Sequence, residues 1–142
     1  KLSIIIPCFN ESNFIESVVQ NINEQKHINK EIIVVNDGSD VTTVNILKEL
    51  LVENKIDKLI NHNTNKGKGE ALKTGLENIN GNIVIFQDAD LEYNPNDYSK
   101  IINPIIANKV IEIISLLFLS KKIITSNKIL SKLTSLFISS NY

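Results

Sequence analysis

The segment IVIFQDADLEYNPND, residues 83 to 97, decides the fold and marks one edge of it. Its apolar first part is typical of a strand that is covered on both faces. Two carboxylates, Asp88 and Asp90, follow at once, and turn-forming residues come after them. Because two neighbouring negative charges at the end of a buried strand cost free energy, we expect a positive charge to lie between them.

Short apolar runs recur along the whole chain and predict the strands of one sheet. They cover residues 2–7, 31–35, 58–61, 82–86 and 110–114. The segments between them carry apolar residues at helical spacing. This alternation of strands and helices predicts an α/β fold, in which helices sandwich a mainly parallel sheet.

Several residues predict where the helices begin and end. Ser12 and Asp40 are candidate N-caps for the first two helices. The third helix is expected to begin at about Glu70, and a fourth contains Tyr98. Pro104 is expected to kink or end that fourth helix, because proline lacks the backbone N–H that a helix needs.

Composition narrows the class of protein. At 142 residues, 42% hydrophobic and 22% charged, the chain is predicted to form about one globular domain. The net charge of −1 gives no argument for nucleic acid binding. The single cysteine, Cys8, cannot form an internal disulfide, which favours a reducing, cytoplasmic compartment. No secretory signal and no apolar stretch of membrane-spanning length, about 18 residues, is visible.

Charge is distributed unevenly along the sequence. Residues 1–112 contain 11 lysines and all 16 acidic residues, whereas residues 113–142 contain 4 lysines and no acidic residue. In the second part an apolar stripe over residues 127–138 accompanies lysines 121, 122, 128 and 132. This pattern is compatible either with contact to an anionic membrane surface or with a helix that packs on the sheet and exposes its lysines to water.

Polar residues follow four of the predicted strands at their carboxyl ends. The stretches are PCFNE (7–11), NDGSD (36–40), NTNKGKGEA (63–71) and QDAD (87–90). Ligands of open α/β sheets bind beyond the carboxyl ends of the strands. We therefore expect the acidic residues in these stretches to converge on one rim.

Asp88 and Asp90 are candidate metal ligands. Carboxylate oxygens at a strand end suit Mg²⁺ or Mn²⁺, which are commonly held by one or two carboxylates together with substrate phosphates. The alternative is that both side chains cap and solvate their loop. Gly67 and Gly69 permit close backbone approach at a helix start, which suits either a phosphate or an ordinary turn.

The other polar residues of the rim are compatible with more than one role. Asp37 either accepts a hydrogen bond from an N–H on a base edge or holds its turn. Asn10 and Glu11 either reach the same ligand or serve as helix-entry residues. His27 and His62 have no metal-ligand spacing, and both are predicted to be surface residues. Cys8 is predicted to be a core residue.

Taken together, these stretches resemble the family 2 glycosyltransferases with a GT-A fold, a Rossmann-like three-layer α/β/α sandwich. The resemblance covers residues 2–106 and is carried by IIIPCFNE (4–11), EIIVVNDGSD (31–40), NKGKGEAL (65–72) and FQDADLEYNP (86–95). The last of these motifs looks most like the branch that transfers sugars to polyprenyl or dolichyl phosphate. The resemblance implies a single domain over residues 1–142, with a nucleotide-sugar-binding part to about residue 107 and an incomplete acceptor-side part over 108–142.

The resemblance also implies a set of site residues. Glu11 and Asp37 would contact the nucleoside, Asp88 would lie near the ribose and sugar, and Asp90 would hold Mg²⁺ or Mn²⁺ on the diphosphate. Asp88 and Asp90 are thus the implied catalytic and metal-binding pair. The implied nucleotide-sugar-binding residues are Pro7, Asn10, Glu11, Asp37, Lys68, Asp88 and Ala89.

The acceptor side departs from the family pattern. Leu117 stands where the resemblance implies an arginine facing an acceptor phosphate, and the acidic loop of relatives would lie beyond Tyr142. We therefore interpret the chain as a truncated copy, either a fragment or a degraded one. After Glu112 no carboxylate or histidine is present to act as general base for an alcohol acceptor, which favours an acceptor that is already an anion, the alternative being a base that lies past Tyr142.

The resulting expectation is a metal-dependent, inverting transferase that moves a sugar from a UDP- or GDP-sugar to an acceptor. Polyprenyl phosphate is favoured over a glycan acceptor, and the protein is expected in the cytoplasm or at the cytoplasmic face of a membrane. Two alternatives stay open: a nucleotide-sugar-binding fragment without turnover, and a purely structural α/β domain.

Overall fold

The computed structural model describes residues 1–90, 95–106 and 123–125 of the chain. Strands and helices alternate over most of this length, as the sequence predicts. In chain order the elements are β1 (Leu2–Cys8), α1 (Ile15–Asn23), β2 (Lys30–Asn36), α2 (Val41–Val52), β3 (Lys58–Asn61), α3 (Lys68–Leu76), β4 (Ile83–Phe86), a 3-10 turn (Pro95–Asp97), α4 (Tyr98–Ile106) and β5 (Ile123–Thr125).

The strands within the described residues form one sheet in the order β3-β2-β1-β4-β5. The first four are parallel to one another, and β5 pairs antiparallel with β4. The order reverses at β1, whose two neighbours are β2 and β4. In open α/β sheets such a reversal leaves a crevice beyond the carboxyl ends of the strands.

The predicted mainly parallel α/β sheet is therefore confirmed, with one difference at its edge. The sequence pattern placed the fifth strand at residues 110–114, which lie outside the described residues. β5, at residues 123–125, was not predicted, since a three-residue run is too short to carry a strand pattern.

Apolar side chains cover both faces of the sheet. On one face, Ile4 and Ile6 of β1 pack with buried residues of α1, α2 and α4. On the other face, Ile5 of β1 packs with Val84 and Phe86 of β4 and with partly buried residues of the α3 region. The sheet thus has helices on both sides, and because its interior strands are buried on both faces, their sequences are nearly continuous apolar runs.

Asp40 caps α2, as predicted: its side chain accepts a hydrogen bond from the backbone N–H of Thr43. Ser12 does not cap α1, so that prediction is wrong. Phe14 occupies the cap position, and the carbonyl of Glu11 accepts the first backbone N–H groups instead.

α4 continues two residues past Pro104, so the proline does not itself end the helix.

α3 begins at Lys68, two residues before the predicted start at Glu70. The tail lysines, the stripe over 127–138 and the position of Leu117 lie outside the described residues. Among the helices that are described, none combines the length and the apolar character needed to cross a bilayer.

A close backbone contact joins the loops that follow β2 and β3. Gly38 adopts a positive φ of 73°, and a Cβ at this position would lie 2.6 Å from the backbone N of Asn65 and from the backbone C of Thr64. A side chain therefore cannot be accommodated without moving the backbone of the second loop. Glycine is needed here for both its conformation and its lack of a Cβ.

At the amino ends of the parallel strands, the buried carboxylate of Glu31 connects three segments of the chain. It accepts hydrogen bonds from Ser3 Oγ and Lys1 Nζ of the first strand region, and from Asn80 and the Gly81 N–H before β4. Burial alone would raise the pKa of Glu31, but these hydrogen bonds outweigh it and lower the pKa from 4.5 to about 2.

We predict that Glu31→Gln lowers the free energy of unfolding by about 2–3 kcal/mol at pH 7. The amide has only one acceptor oxygen, so it cannot accept hydrogen bonds from all of these donors. The folded-state pKa is below the unfolded one, so the stabilisation by Glu31 is present above about pH 4.5 and is lost as the pH falls toward 2. Urea denaturation followed by circular dichroism should therefore show the two proteins converging in stability as the pH is lowered.

The matched control is Glu53→Gln, since Glu53 pairs with Lys55 on the surface and both side chains are about half exposed. This variant should remain as stable as the wild type at pH 7. A constant difference between wild type and Glu31→Gln from pH 7 to about pH 3 would contradict the role given to the Glu31 charge.

For the contact between loops, we predict that Gly38→Ala lowers the free energy of unfolding by about 2 kcal/mol or more, through backbone strain and displacement of the second loop. Gly69→Ala is the control: a Cβ there meets no atom within 4 Å. Because Gly69 lies in the first turn of α3, alanine should be neutral or slightly stabilising at this position. Equal destabilisation in both variants, measured by thermal unfolding, would argue against the steric explanation.

Candidate functional site

A cleft of about 330 Å³ lies at the carboxyl ends of β1, β2 and β4 and beside the start of α3. This is the position expected for a ligand site in such a sheet, and the volume is at the lower end of the range for ligand pockets, about 300–1,000 Å³. Its lining residues come from four separate segments: Pro7, Cys8, Phe9, Glu11, Asp37, Asn65, Gly67, Lys68, Ala71, Asp88, Ala89 and Asp90.

Most of the residues predicted from the sequence meet at this cleft. The structure places Pro7, Glu11, Asp37, Lys68, Asp88, Ala89 and Asp90 in its lining. Asn10 is not part of the lining. Its side chain accepts a hydrogen bond from the backbone N–H of Asp40, and its own N–H donates to Ser39 Oγ. Asn10, with a φ of 57°, thus braces the loop after β1 against the loop after β2.

Asp37 is a buried carboxylate whose side chain is only 4% exposed. Oδ1 accepts hydrogen bonds from His62 Nδ1 at 2.7 Å and from the Lys66 N–H at 2.9 Å, and Oδ2 accepts one from the Gly67 N–H at 2.8 Å. Burial would raise the pKa of Asp37, but the hydrogen bonds from these three residues lower it below its ordinary value. Asp37 is therefore ionised at neutral pH and accepts hydrogen bonds only.

The surface position predicted for His62 is wrong. Its side chain is 5% exposed, and both ring nitrogens have partners: Asp37 at Nδ1 and Thr74 Oγ1 at Nε2. An imidazole can be buried here because the carboxylate and the hydroxyl replace the water it loses. The polar residues around His62 in the sequence gave no local signal of burial. His27 is exposed, as predicted, and its Nε2 lies 2.8 Å from Ser99 Oγ.

Asp88 has a cationic partner within the protein. Its Oδ1 lies 2.5 Å from Lys68 Nζ, and the Lys68 side chain is 58% exposed, compared with 18% for Asp88. The positive charge expected beside the two carboxylates is therefore supplied, at Asp88, by the first residue of α3. Because most of the lysine side chain is in water, this ion pair can exchange for another partner at little cost.

Two buried polar side chains, Gln87 and Tyr98, hold the segment that follows β4. Tyr98 Oη donates to Gln87 Oε1 at 2.6 Å, and Gln87 Nε2 donates to the carbonyl of Asp88. Burial raises the pKa of the Tyr98 hydroxyl above its ordinary value, so the hydroxyl keeps its proton at neutral pH and donates it to Gln87. These bonds fix the backbone that presents Asp88 and Asp90 to the cleft.

The donor set of the cleft fits a hard divalent cation. Among the described residues there is no cluster of three or more side chains of the His, Cys, Asp and Glu types that could hold a metal alone. Asp88 and Asp90 nevertheless both line the cleft. Two carboxylates are sufficient for Mg²⁺ or Mn²⁺ when phosphate oxygens and water complete the coordination.

Cys8 is buried, as predicted, although it also contributes to the cleft wall. Burial raises the pKa of its thiol to about 12, so it is neutral at physiological pH and is not a nucleophile.

Phe9, Asn65 and Ala71 also line the cleft and were not predicted. Asn65 accepts the Gly67 N–H within its own turn, a local pattern that the sequence NKG could have indicated.

Comparison with known proteins agrees with this geometry. The family model for glycosyl transferase family 2 matches residues 3–126. A relative from Methanococcus voltae, named UDP-N-acetylglucosamine--dolichyl-phosphate N-acetylglucosaminyltransferase, is 36% identical over 118 residues, which cover 72% of this chain and 46% of the relative.

Two solved structures share the fold. Staphylococcus aureus TarS 1-349 in complex with UDP-GlcNAc has a TM-score of 0.67 and 25% identity, covering 77% of this chain and 32% of that one. The mannosyltransferase PcManGT from Pyrobaculum calidifontis, in complex with GDP-Man and Mn²⁺, has a TM-score of 0.56 and 30% identity, covering 63% and 27%.

The chain spans less than half the length of the curated relatives that it matches first. The match nevertheless includes each of the four segments that line the cleft. The GT-A type α/β fold expected from the sequence is confirmed by these neighbours. The chain belongs to glycosyl transferase family 2.

Proposed function

We propose that the cleft binds the nucleoside diphosphate of a sugar donor together with Mg²⁺ or Mn²⁺, and that the chain transfers the sugar with inversion to an acceptor. The observation that carries this proposal is the convergence of Asp37, Asp88, Asp90 and Lys68 on one cleft at the point where the strand order reverses. The solved neighbours with UDP-GlcNAc and with GDP-Man and Mn²⁺ support it.

Each side chain has a role that its environment suits. Asp37, ionised and held by three donors, can accept an N–H from the edge of the base. Glu11 lines the same wall and can accept from the nucleoside. Asp88 would face the ribose and sugar, and Asp90 would face the diphosphate, where a bound divalent cation would stabilise the charge that develops on the leaving group.

Lys68 can interact both with Asp88 and with the diphosphate. It pairs with Asp88 and is mostly exposed, so it can move toward a diphosphate without losing buried contacts. Lys68 then contributes a second positive charge near the departing phosphates. Pro7 and Ala89 line the cleft without charge and would set its shape beside the nucleotide.

The acceptor that the chain favours is a polyprenyl phosphate. A phosphate oxygen is already an anion at neutral pH and needs no general base to act as the nucleophile. The M. voltae relative is named for transfer to dolichyl phosphate, which supports this choice. Contact of the chain with a membrane surface would follow from such an acceptor.

For donor binding, we predict that UDP or GDP binds in the presence of Mn²⁺ and that Asp90→Asn weakens this binding at least tenfold, about 1.4 kcal/mol or more. The physical reason is the loss of a carboxylate charge beside the cation. Isothermal titration calorimetry with Mn²⁺, and again with EDTA, measures both effects.

Asp97→Asn is the control for donor binding, because Asp97 forms an exposed ion pair with Lys100 and does not line the cleft. This variant should bind as the wild type does. Nucleotide binding that is equally tight in EDTA, or unchanged in Asp90→Asn, would refute the metal-dependent site.

For the acceptor, we predict transfer of radiolabelled sugar from a UDP- or GDP-sugar to a short polyprenyl phosphate, and none to the matching polyprenol. The two acceptors differ only in the phosphate, so lipid solubility is controlled. Transfer to the alcohol alone would refute the acceptor assignment. Tight donor binding without transfer to either acceptor would support instead a nucleotide-sugar-binding chain without turnover.

A further inference from the structure

His62 is a buried residue that connects the cleft to α3, and it has no role in the function proposed above. Its backbone N–H donates to the carbonyl of Asn36 at the end of β2. Its ring lies between Asp37 and Thr74, at 2.7 Å and 3.0 Å from the two nitrogens. The residue thus lies behind the cleft wall, connected to a residue that lines it.

The donor and acceptor roles of the ring are fixed by its partners. Asp37 is ionised and can only accept, so Nδ1 carries a hydrogen and donates to it. The Thr74 hydroxyl can donate or accept, so it satisfies Nε2 in either state. The ring therefore keeps one orientation whatever its charge, and it always presents an N–H to Asp37 Oδ1.

The orientation of the His62 ring determines which acceptor sites of Asp37 are occupied. An ionised carboxylate accepts about four hydrogen bonds, two at each oxygen. His62 and the Lys66 N–H occupy both sites of Oδ1, whereas the Gly67 N–H is the only donor to Oδ2 among the described residues. Within that part of the chain one acceptor site is left, on Oδ2, in a residue that lines the cleft.

We propose that His62 is a positioning residue for base recognition: by donating from Nδ1 to Oδ1 it holds the Asp37 carboxylate so that Oδ2 is the oxygen that accepts the N–H of the donor's base. Thr74 anchors the far side of the ring to α3. This inference rests on the proposed function, because it assumes that a nucleoside diphosphate occupies the cleft.

Three variants separate the donor role of His62 from its packing. In His62→Asn, the amide Nδ2 occupies nearly the position of Nδ1 and can still donate to Asp37. In His62→Gln, the longer amide reaches toward Thr74 and no longer presents a donor at that position. Thr74→Val removes only the hydrogen bond at Nε2 while keeping the volume of the side chain.

The measurement is the Kd of the full chain for UDP, for GDP and for inorganic pyrophosphate, each with Mn²⁺, alongside a thermal unfolding midpoint. Pyrophosphate lacks the nucleoside, so the ratio of its Kd to that of the better nucleotide reports the contacts to base and ribose together, and a change in this ratio on substitution of His62 reports a change in those contacts. We expect His62→Gln to reduce this ratio by on the order of tenfold. His62→Asn and Thr74→Val should keep the ratio within about threefold of the wild type, although all three variants are less stable.

Several results would overturn the inference. An unchanged ratio in a folded His62→Gln, or an equal loss in His62→Asn, would show that the ring only packs. A wild-type chain that binds pyrophosphate as tightly as both nucleotides has no base contact for His62 to support. A wild-type chain that binds neither nucleotide refutes the proposed function and this inference together, which distinguishes that failure from the others.

Discussion

The buried carboxylate of Asp37 is the group on which the geometry of the cleft depends. It lies at the carboxyl end of β2 and accepts hydrogen bonds from His62 at the end of β3 and from the loop that leads into α3. A charge buried this deeply is tolerated only when hydrogen-bond donors replace the water it loses, so removal of any of these three donors would destabilise the ionised carboxylate. The glycine that follows, Gly38, lets the same two loops approach closely enough for the bonds to form.

Charge compensation on the other wall of the cleft is arranged differently. Asp88 is paired with Lys68, whose side chain is mostly in water, so the pair can separate when a cation or a phosphate arrives. Asp37 is held by rigid backbone and ring donors, whereas Asp88 is held by a flexible one. The first arrangement suits recognition of a planar base, which needs fixed geometry, and the second suits a diphosphate and its metal, which bring charge with them.

The sequence predicted the parts of the site that follow from strand ends. Because four apolar runs had to be parallel strands, the acidic residues after them had to share one edge, and Asp37, Asp88 and Asp90 do line one cleft. Asp40 was recognisable as a cap from its local pattern alone.

His62 was not recognisable, because its burial depends on Asp37, which is 25 residues away, and on Thr74 in α3. Ser12 was misassigned because the Glu11 carbonyl begins α1 without any side-chain cap.

A buried carboxylate lies near each end of β2, and the one at the carboxyl end, Asp37, is the candidate binding group. Glu31, at the amino edge, receives five hydrogen bonds from Lys1, Ser3, Asn80 and Gly81, which exceeds the usual capacity of a carboxylate. Asp37, at the carboxyl edge, receives three and lines a cleft. Both are ionised by the same balance of burial against hydrogen bonds. Among the described residues no donor reaches the second site of Asp37 Oδ2, and this open site, rather than the charge, distinguishes Asp37 from Glu31 as a candidate binding group.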